Sequence, residues 1–370
     1  MGSDDRMVLQ KSLELWLAEC TEGATDVHLE SLTVPKGTGN SAETMLTTMH
    51  YVEQGRKRSV DLVIRRQNPD SDLFLDTSIE LPYRFMEALQ RYPDIPSPAL
   101  VGLELDDSIL GSPFLVMRRV NGRSISQRPN YNITGWLSDL AVEDRRTVWT
   151  NAIRHLAALH DIDWRKDFGF LNDVRRHPEP GLTQYLAWVR DWYHWAKGDR
   201  KLPVADAALE WLLAKMPHNA EVSVLWGDPT PANILFGSDL SVAAIHDFEM
   251  AALGPGEVDL AWWLRSVRLH SEDQGIARLP GLPSHEETIS MYEGFRKRAV
   301  SDLEYYDVLA QFRVNVVMIR FSDRLVAEGR MPGGTDVLTN NVPTAHMARM
   351  IGLDEPTPGE GYRLMMAGLS

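Results

Sequence analysis

The chain has 370 residues, 44% hydrophobic and 24% charged, enough for two folding units or one large two-lobed unit with ample core. Its 38 basic and 52 acidic residues leave a net charge of −14, which argues against a nucleic-acid binder and leans toward a cationic substrate drawn to an acidic cleft. Cys20 is the single cysteine, which excludes an internal disulfide and a cysteine metal cluster.

Leu9, Leu13, Trp16, Leu17 and Cys20 recur at helical spacing and predict an amphipathic helix over the first twenty residues. That N-terminus, MGSDDRMVLQ, is acidic and lacks a hydrophobic signal core. No apolar run approaches the roughly 18 residues of a membrane span, so a cytoplasmic protein without a membrane partner is expected. From Leu32 to Arg66 the pattern becomes strand, glycine turn, strand, polar turn, strand. A helix is expected from Tyr83 to Arg91. Two further strands are expected near Leu100–Leu105 and Pro113–Val120.

Beyond Asn121 helical periodicity dominates. Trp149, Ala152, Ile153, Leu156 and Leu159 form one apolar stripe. Trp188, Trp192 and Trp195 share a helix face beside Tyr193, which reads first as core packing and second as an acceptor wall stacking a flat or cationic substrate. Ser301 and Glu304 carry a capping-box signal for a long helix that turns Tyr305, Val308, Leu309, Phe312, Val316 and Ile319 inward. Residues 329–345, rich in Gly, Pro, Thr and Asn, read as a loop. The expected fold is therefore α+β and two-lobed, with a small antiparallel-sheet lobe over 1–119 and a mainly helical lobe over 120–370.

The chemistry concentrates in VLWGDPTPANILF, residues 224–236. Gly227, Pro229 and Pro231 suffice to make the turn, so the carboxylate of Asp228 and the amide of Asn233 need another reason. A second apolar run, SVAAI, ends at His246-Asp247 and delivers another carboxylate at a strand tip. Two carboxylates and an amide oxygen suit Mg²⁺ far better than zinc. The order D-x-x-x-x-N, then a strand-borne Asp, is the phosphoryl-transfer pattern of kinases. A literal Asp167-Phe168-Gly169 lies upstream of that loop and is excluded by its order.

WGDPTPANILF…AAIHDFEMAALGPGEVDLAWWL resembles the core of the aminoglycoside phosphotransferase-like family, nearest the branch with kinase-like segments fused to some acyl-CoA dehydrogenases. The resemblance implies a protein-kinase-like fold and transfer of the γ-phosphate of ATP, with GTP not excluded, to a small-molecule hydroxyl. Asp228 would orient and deprotonate that hydroxyl, while Asn233 and Asp247 would hold Mg²⁺. Arg65 would contact the α- and β-phosphates, paired with Glu80, and the loop of Gly37, Gly39 and Ser41 would cover them. Backbone groups of Met117, Arg118 and Arg119 would meet the adenine. Asp259 would brace the catalytic loop, and Trp262 and Trp263 would be core. The implied acceptors are an aminoglycoside, an amino alcohol or a hydroxyacyl compound. Trp226 stands where the family has a histidine; a nucleotide-binding pseudokinase acting as scaffold or sensor is the alternative.

Overall fold

The computed structural model describes residues 3–35, 42–68, 73–76 and 78–368. Contacts group the chain into two units. One comprises Met1–Gly122 with Ala243–Glu249, the other Arg123–Val242 with Met250–Ser370. The expected glycine loop of Gly37, Gly39 and Ser41 lies outside the described residues.

The first unit runs α1 (Ser3–Cys20), β1 (Ala24–Leu29), β2 (Ala42–Glu53), β3 (Arg56–Gln67), α2 (Glu80–Leu89), β4 (Leu100–Glu104) and β5 (Phe114–Arg118). Its five strands form one antiparallel sheet in the order β1-β2-β3-β5-β4. The β2–β3 ladder is unbroken from Ala42↔Gln67 to Glu53↔Arg56, closed by Gln54 and Gly55 at φ 50° and 72°. Two central residues with positive φ are what a tight hairpin with right-handed strand twist requires. Alternation along β2 sends Met45 and Met49 into the core, where they meet Leu13 and Leu17 of α1 and Leu62 and Ile64 of β3. The α1 stripe forms as expected through Leu17, but Cys20 at the helix end is exposed.

The second unit contains α3 (Trp136–Asp139), α4 (Val142–His160), α5 (Trp164–Asp167), α6 (Leu182–Lys197), α7 (Pro203–Ala214), β6 (Ser223–Leu225), β7 (Ile234–Phe236) and, running into the other unit, β8 (Val242–Ile245). It continues with β9 (Ala252–Gly254), α8 (Gly256–Leu269), α9 (His285–Arg296), α10 (Leu303–Ala327), α11 (Val342–Met350) and α12 (Glu360–Gly368). The five stripe residues of α4 and the six inward residues of α10 are all buried. Every one of them is an apolar or aromatic group whose removal from water stabilises the unit by about 1–3 kcal/mol.

Two sequence expectations fail here. The capping box expected at Ser301 does not form. Asp302 caps α10 in a left-handed conformation, φ 52°, and makes no side-chain cap bond. The helix therefore begins one residue late, and Glu304 falls outside the position a box needs. The box forms instead on α9, where Ser284 and Glu287 bond each other's backbone N–H. The expected loop 329–345 is cut short by α11. Asn341 accepts the N–H of Thr344 at 2.7 Å and Pro343 sits in the first turn, so residues that read as loop formers cap a helix.

Candidate active site

Within the second unit, β6 ends at Leu225 and the chain turns sharply through Trp226-Gly227-Asp228. Gly227 has φ 89°, and a Cβ there would lie 2.0 Å from the carbonyl oxygen of Met250, so only glycine fits. The turn is fixed by Asp259 from the first turn of α8. Its carboxylate accepts the N–H of Trp226 at 2.7 Å and of Gly227 at 3.1 Å. His160 Nε2 lies 3.1 Å from the same carboxylate, and Tyr292 closes the chain at 2.6 Å from His160 Nδ1. Asp259 is fully buried, so these partners replace the water it has lost. The bracing role expected of Asp259 is what its geometry provides. Trp226 is itself buried, with 1% exposure.

Asp228 follows with both carboxylate oxygens engaged. Trp262 Nε1 donates to Oδ1 at 2.6 Å, and Asn233 Nδ2 donates to Oδ2 at 2.9 Å. Asn233, held in the short 3-10 turn Pro231–Asn233, also donates to the Asp228 carbonyl at 2.9 Å. The amide nitrogen of Asn233 is thus committed to Asp228, and the residue is buried. Trp262 corrects the sequence expectation that it is core: its ring is half-buried and its N–H serves Asp228. Trp263 is core, edge-on to Trp149 at 5.2 Å.

Arg313 of α10 was not singled out by sequence. Its guanidinium lies 4.1 Å from the Trp262 ring centroid and donates from Nη2 to the Gly227 carbonyl at 2.7 Å. Asp228, Asn233 and Trp262 line a cavity of about 230 Å³ whose other walls include Leu269, Val314, Arg265 and His270. Among its described lining residues Asp228 is the only carboxylate. Burial pushes the His270 imidazole below its usual range, so it stays neutral at pH 7. The aromatic cluster of α6 does not line this cavity. Trp192 stacks on Trp188 at 5.3 Å, Tyr193 packs on Phe312, and Arg320 lies over Trp195, which is core and flank packing.

The first unit carries the other sequence-predicted residues. Arg65 sits centrally in β3, opposite Thr44 and Leu115. Its Nη1 lies 3.4 Å from Asp247 Oδ1 and its Nη2 donates to Glu249. Burial opposes the charge, but the two carboxylates outweigh it and hold the guanidinium pKa above its usual value. Glu80 is not the partner of Arg65. It opens α2, 3.6 Å from Arg84 one turn on, with both side chains nearly half exposed. The true partner, Glu249, is two residues past Asp247, just beyond the end of β8, and both carboxylates meet the Arg65 guanidinium. Between them Phe248 is buried and stacks on Phe85 of α2 at 4.5 Å. The Ile245 N–H bonds Pro96 O at 2.9 Å, and Asp247 takes a left-handed φ of 69°. Aspartate is among the few residues that accept this conformation. Burial pushes the His246 pKa down, which leaves it neutral. Met117 is buried within β5, and the N–H groups of Arg118 and Arg119 bond Ala99 O and Asp61 O, both at 2.8 Å. Those two donors are thus engaged within the first unit.

Residues 47–288 match the Phosphotransferase enzyme family, well over half of the chain. Mouse acyl-CoA dehydrogenase family member 10 is 24% identical over 267 residues, covering 70% of this chain. The chain spans about a quarter of that relative's length, 24%. A candidate aminoglycoside phosphotransferase from Ralstonia eutropha superposes with TM-score 0.64 at 21% identity, covering 96% of this chain and 98% of its own. An amicoumacin kinase solved with AMP-PNP, Ca²⁺ and its drug superposes with TM-score 0.52 at 12% identity, covering 98% and 100%. The braced carboxylate turn, the antiparallel sheet and these likenesses agree: the chain belongs to the Phosphotransferase enzyme family and has a protein-kinase-like α+β fold.

Proposed function

We propose that this chain transfers the γ-phosphate of ATP to a hydroxyl group of a small molecule, with Mg²⁺ bound to the nucleotide. The observation that carries the reading is Asp228: a half-buried carboxylate held by two hydrogen bonds at the wall of a 230 Å³ cavity. Asp228 aligns the acceptor hydroxyl and takes its proton as the oxygen bonds phosphorus and ADP leaves. A positioned base of this kind contributes about 10²–10⁴-fold.

The residues present suit a hard divalent cation. Of the two implied ligands, Asn233 carries an amide oxygen and Asp247 a partly exposed carboxylate, both hard oxygen donors. No group of three His, Cys, Asp or Glu side chains forms among the described residues. Mg²⁺ takes one or two carboxylates and completes its shell with phosphate and water. When bound, the ion neutralises phosphate charge as the transfer proceeds. Arg65 grips the α- and β-phosphates with its planar fork, and Glu249 keeps that fork in place. Gly37, Gly39 and Ser41 cover the phosphates. With the Arg118 and Arg119 N–H groups engaged, backbone just past β5 meets the adenine. GTP would fit the same phosphate contacts.

The cavity shifts the acceptor reading away from a cation. A polycationic aminoglycoside would meet one carboxylate there, beside a neutral His270 and an Arg265 already paired with Asp273 at 3.1 Å. Leu269, Val314 and the Trp262 ring suit an uncharged or anionic hydroxyacyl compound better. Mg²⁺-dependent ATP consumption across a panel of hydroxylated acceptors tests this. The reading requires turnover with an acceptor and its loss in Asp228→Ala. ATP-induced thermal stabilisation without turnover on any acceptor would instead support a scaffold or sensor.

A further inference from the structure

We propose that Trp262 and Arg313 are positioning residues that set the Asp228 carboxylate, with Arg313 acting as its counter-charge through the indole of Trp262. The inference rests on the reading of Asp228 as the base.

Arg313 sits among the inward residues of α10, with 1% exposure. Nη2 donates to the Gly227 carbonyl at 2.7 Å and the guanidinium acts on the nearby Tyr185 hydroxyl, while no carboxylate pairs with it among the described residues. A buried guanidinium without a carboxylate beside it is costly, and an apolar side chain of similar volume would pack α10 better. Its surroundings show what the charge does. The guanidinium lies 4.1 Å from the Trp262 ring centroid and 5.7 Å from that of Tyr185, both within cation–π reach. The Trp262 N–H, at the rim of the same ring, donates to Asp228 Oδ1 at 2.6 Å. It is a close bond, as suits an ionised acceptor. A cation on the ring face draws electron density from the indole and strengthens its N–H as a donor. Arg313 thus acts on Asp228 through the indole of Trp262. The second bond of Arg313, to Gly227 O, fixes the backbone one residue earlier. Asp228 is therefore held at its side chain and at the preceding peptide by one helix residue 85 positions away in the chain. The family histidine is absent here, and Trp226 in its place is buried away from this role.

The test uses the full chain, labelled with ¹⁵N on its eleven indole N–H groups. Trp262→Phe deletes one signal and so assigns it. The expected result is that this signal lies far downfield in the wild type and moves upfield in Asp228→Ala and in Arg313→Met, with a smaller move in Arg313→Lys. In Mg-ATP hydrolysis with water as acceptor, Trp262→Phe should lower kcat about 10–100-fold with KM for ATP unchanged. A Trp262 signal that ignores Asp228→Ala, or a Trp262→Phe enzyme with wild-type kcat, overturns the inference. If Arg313→Met does not fold, Trp262→Phe on the half-buried ring still decides it. Retained turnover in Asp228→Ala would instead sink the base assignment, an outcome the indole shift does not depend on.

Discussion

Asp259 is the strongest test of how the turn bearing Asp228 is held. Replacing it by alanine removes the acceptor of two backbone N–H groups, those of Trp226 and Gly227, and of His160. All of these sit where water does not reach, since Asp259 is 0% exposed and Trp226 1%. Each buried donor left unsatisfied costs about 1–3 kcal/mol, so the two amides alone predict a loss of about 2–6 kcal/mol. For a folding unit of this size each kcal/mol lowers Tm by about 2–4 °C, giving a drop on the order of 5–20 °C. Asp259→Asn keeps one carbonyl oxygen but turns an NH₂ toward a donor, so its loss should fall between alanine and wild type. Thermal unfolding followed by circular dichroism reads both variants. A Tm within about 2 °C of wild type in Asp259→Ala would mean that the turn is held by something else, and the reasoning fails.

Glu249→Gln removes one of the two carboxylates on Arg65 and should weaken ATP affinity about tenfold, whereas Glu80→Gln should leave it unchanged; isothermal titration separates them. Equal effects would restore Glu80 as the partner. Asp247→Asn preserves the left-handed backbone and should abolish Mg²⁺-dependent nucleotide binding while the Tm stays close to wild type; normal Mg-ATP binding would remove Asp247 from the metal site. Ser284→Ala should destabilise the chain by about 0.5–2 kcal/mol through the lost capping box, while Ser301→Ala should be neutral in the same denaturation experiment. The reverse order would contradict the helix boundaries described above.

What could be read from the sequence was local or ordered along the chain. The β2–β3 hairpin announced itself by alternation and by Gln54-Gly55, and α4 and α10 by apolar stripes whose residues are all buried. The turn bearing Asp228 and Asn233 was legible because apolar strands on both sides left two polar groups without a structural task. The failures share a cause: they depend on which distant residue fills a space. Glu80 was chosen for Arg65 by analogy with a helix-borne acid, while the fold brings Asp247 and Glu249 from 182 and 184 residues away. A buried aromatic, Phe248, set between the two acids was the mark available. Trp262 read as core because tryptophan usually is, and its N–H finds Asp228 only through the tertiary fold. Arg313 had a usable mark, a charge set within the apolar stripe of α10, which a buried stripe does not tolerate without a task. Ser301 matched the capping pattern, but the chain enters α10 through a left-handed Asp302, and the box forms at Ser284, which the sequence reading did not single out.

Transfer of ³²P from labelled ATP in the presence of Mg²⁺ into a metabolite extract, wild type against Asp228→Ala, bears most directly on the phosphotransferase reading. A labelled small molecule formed by the wild type, and lost by at least about a hundredfold in the variant, is the expected result. Undiminished labelling in Asp228→Ala, or ATP binding by the wild type with no labelled product at all, would contradict it.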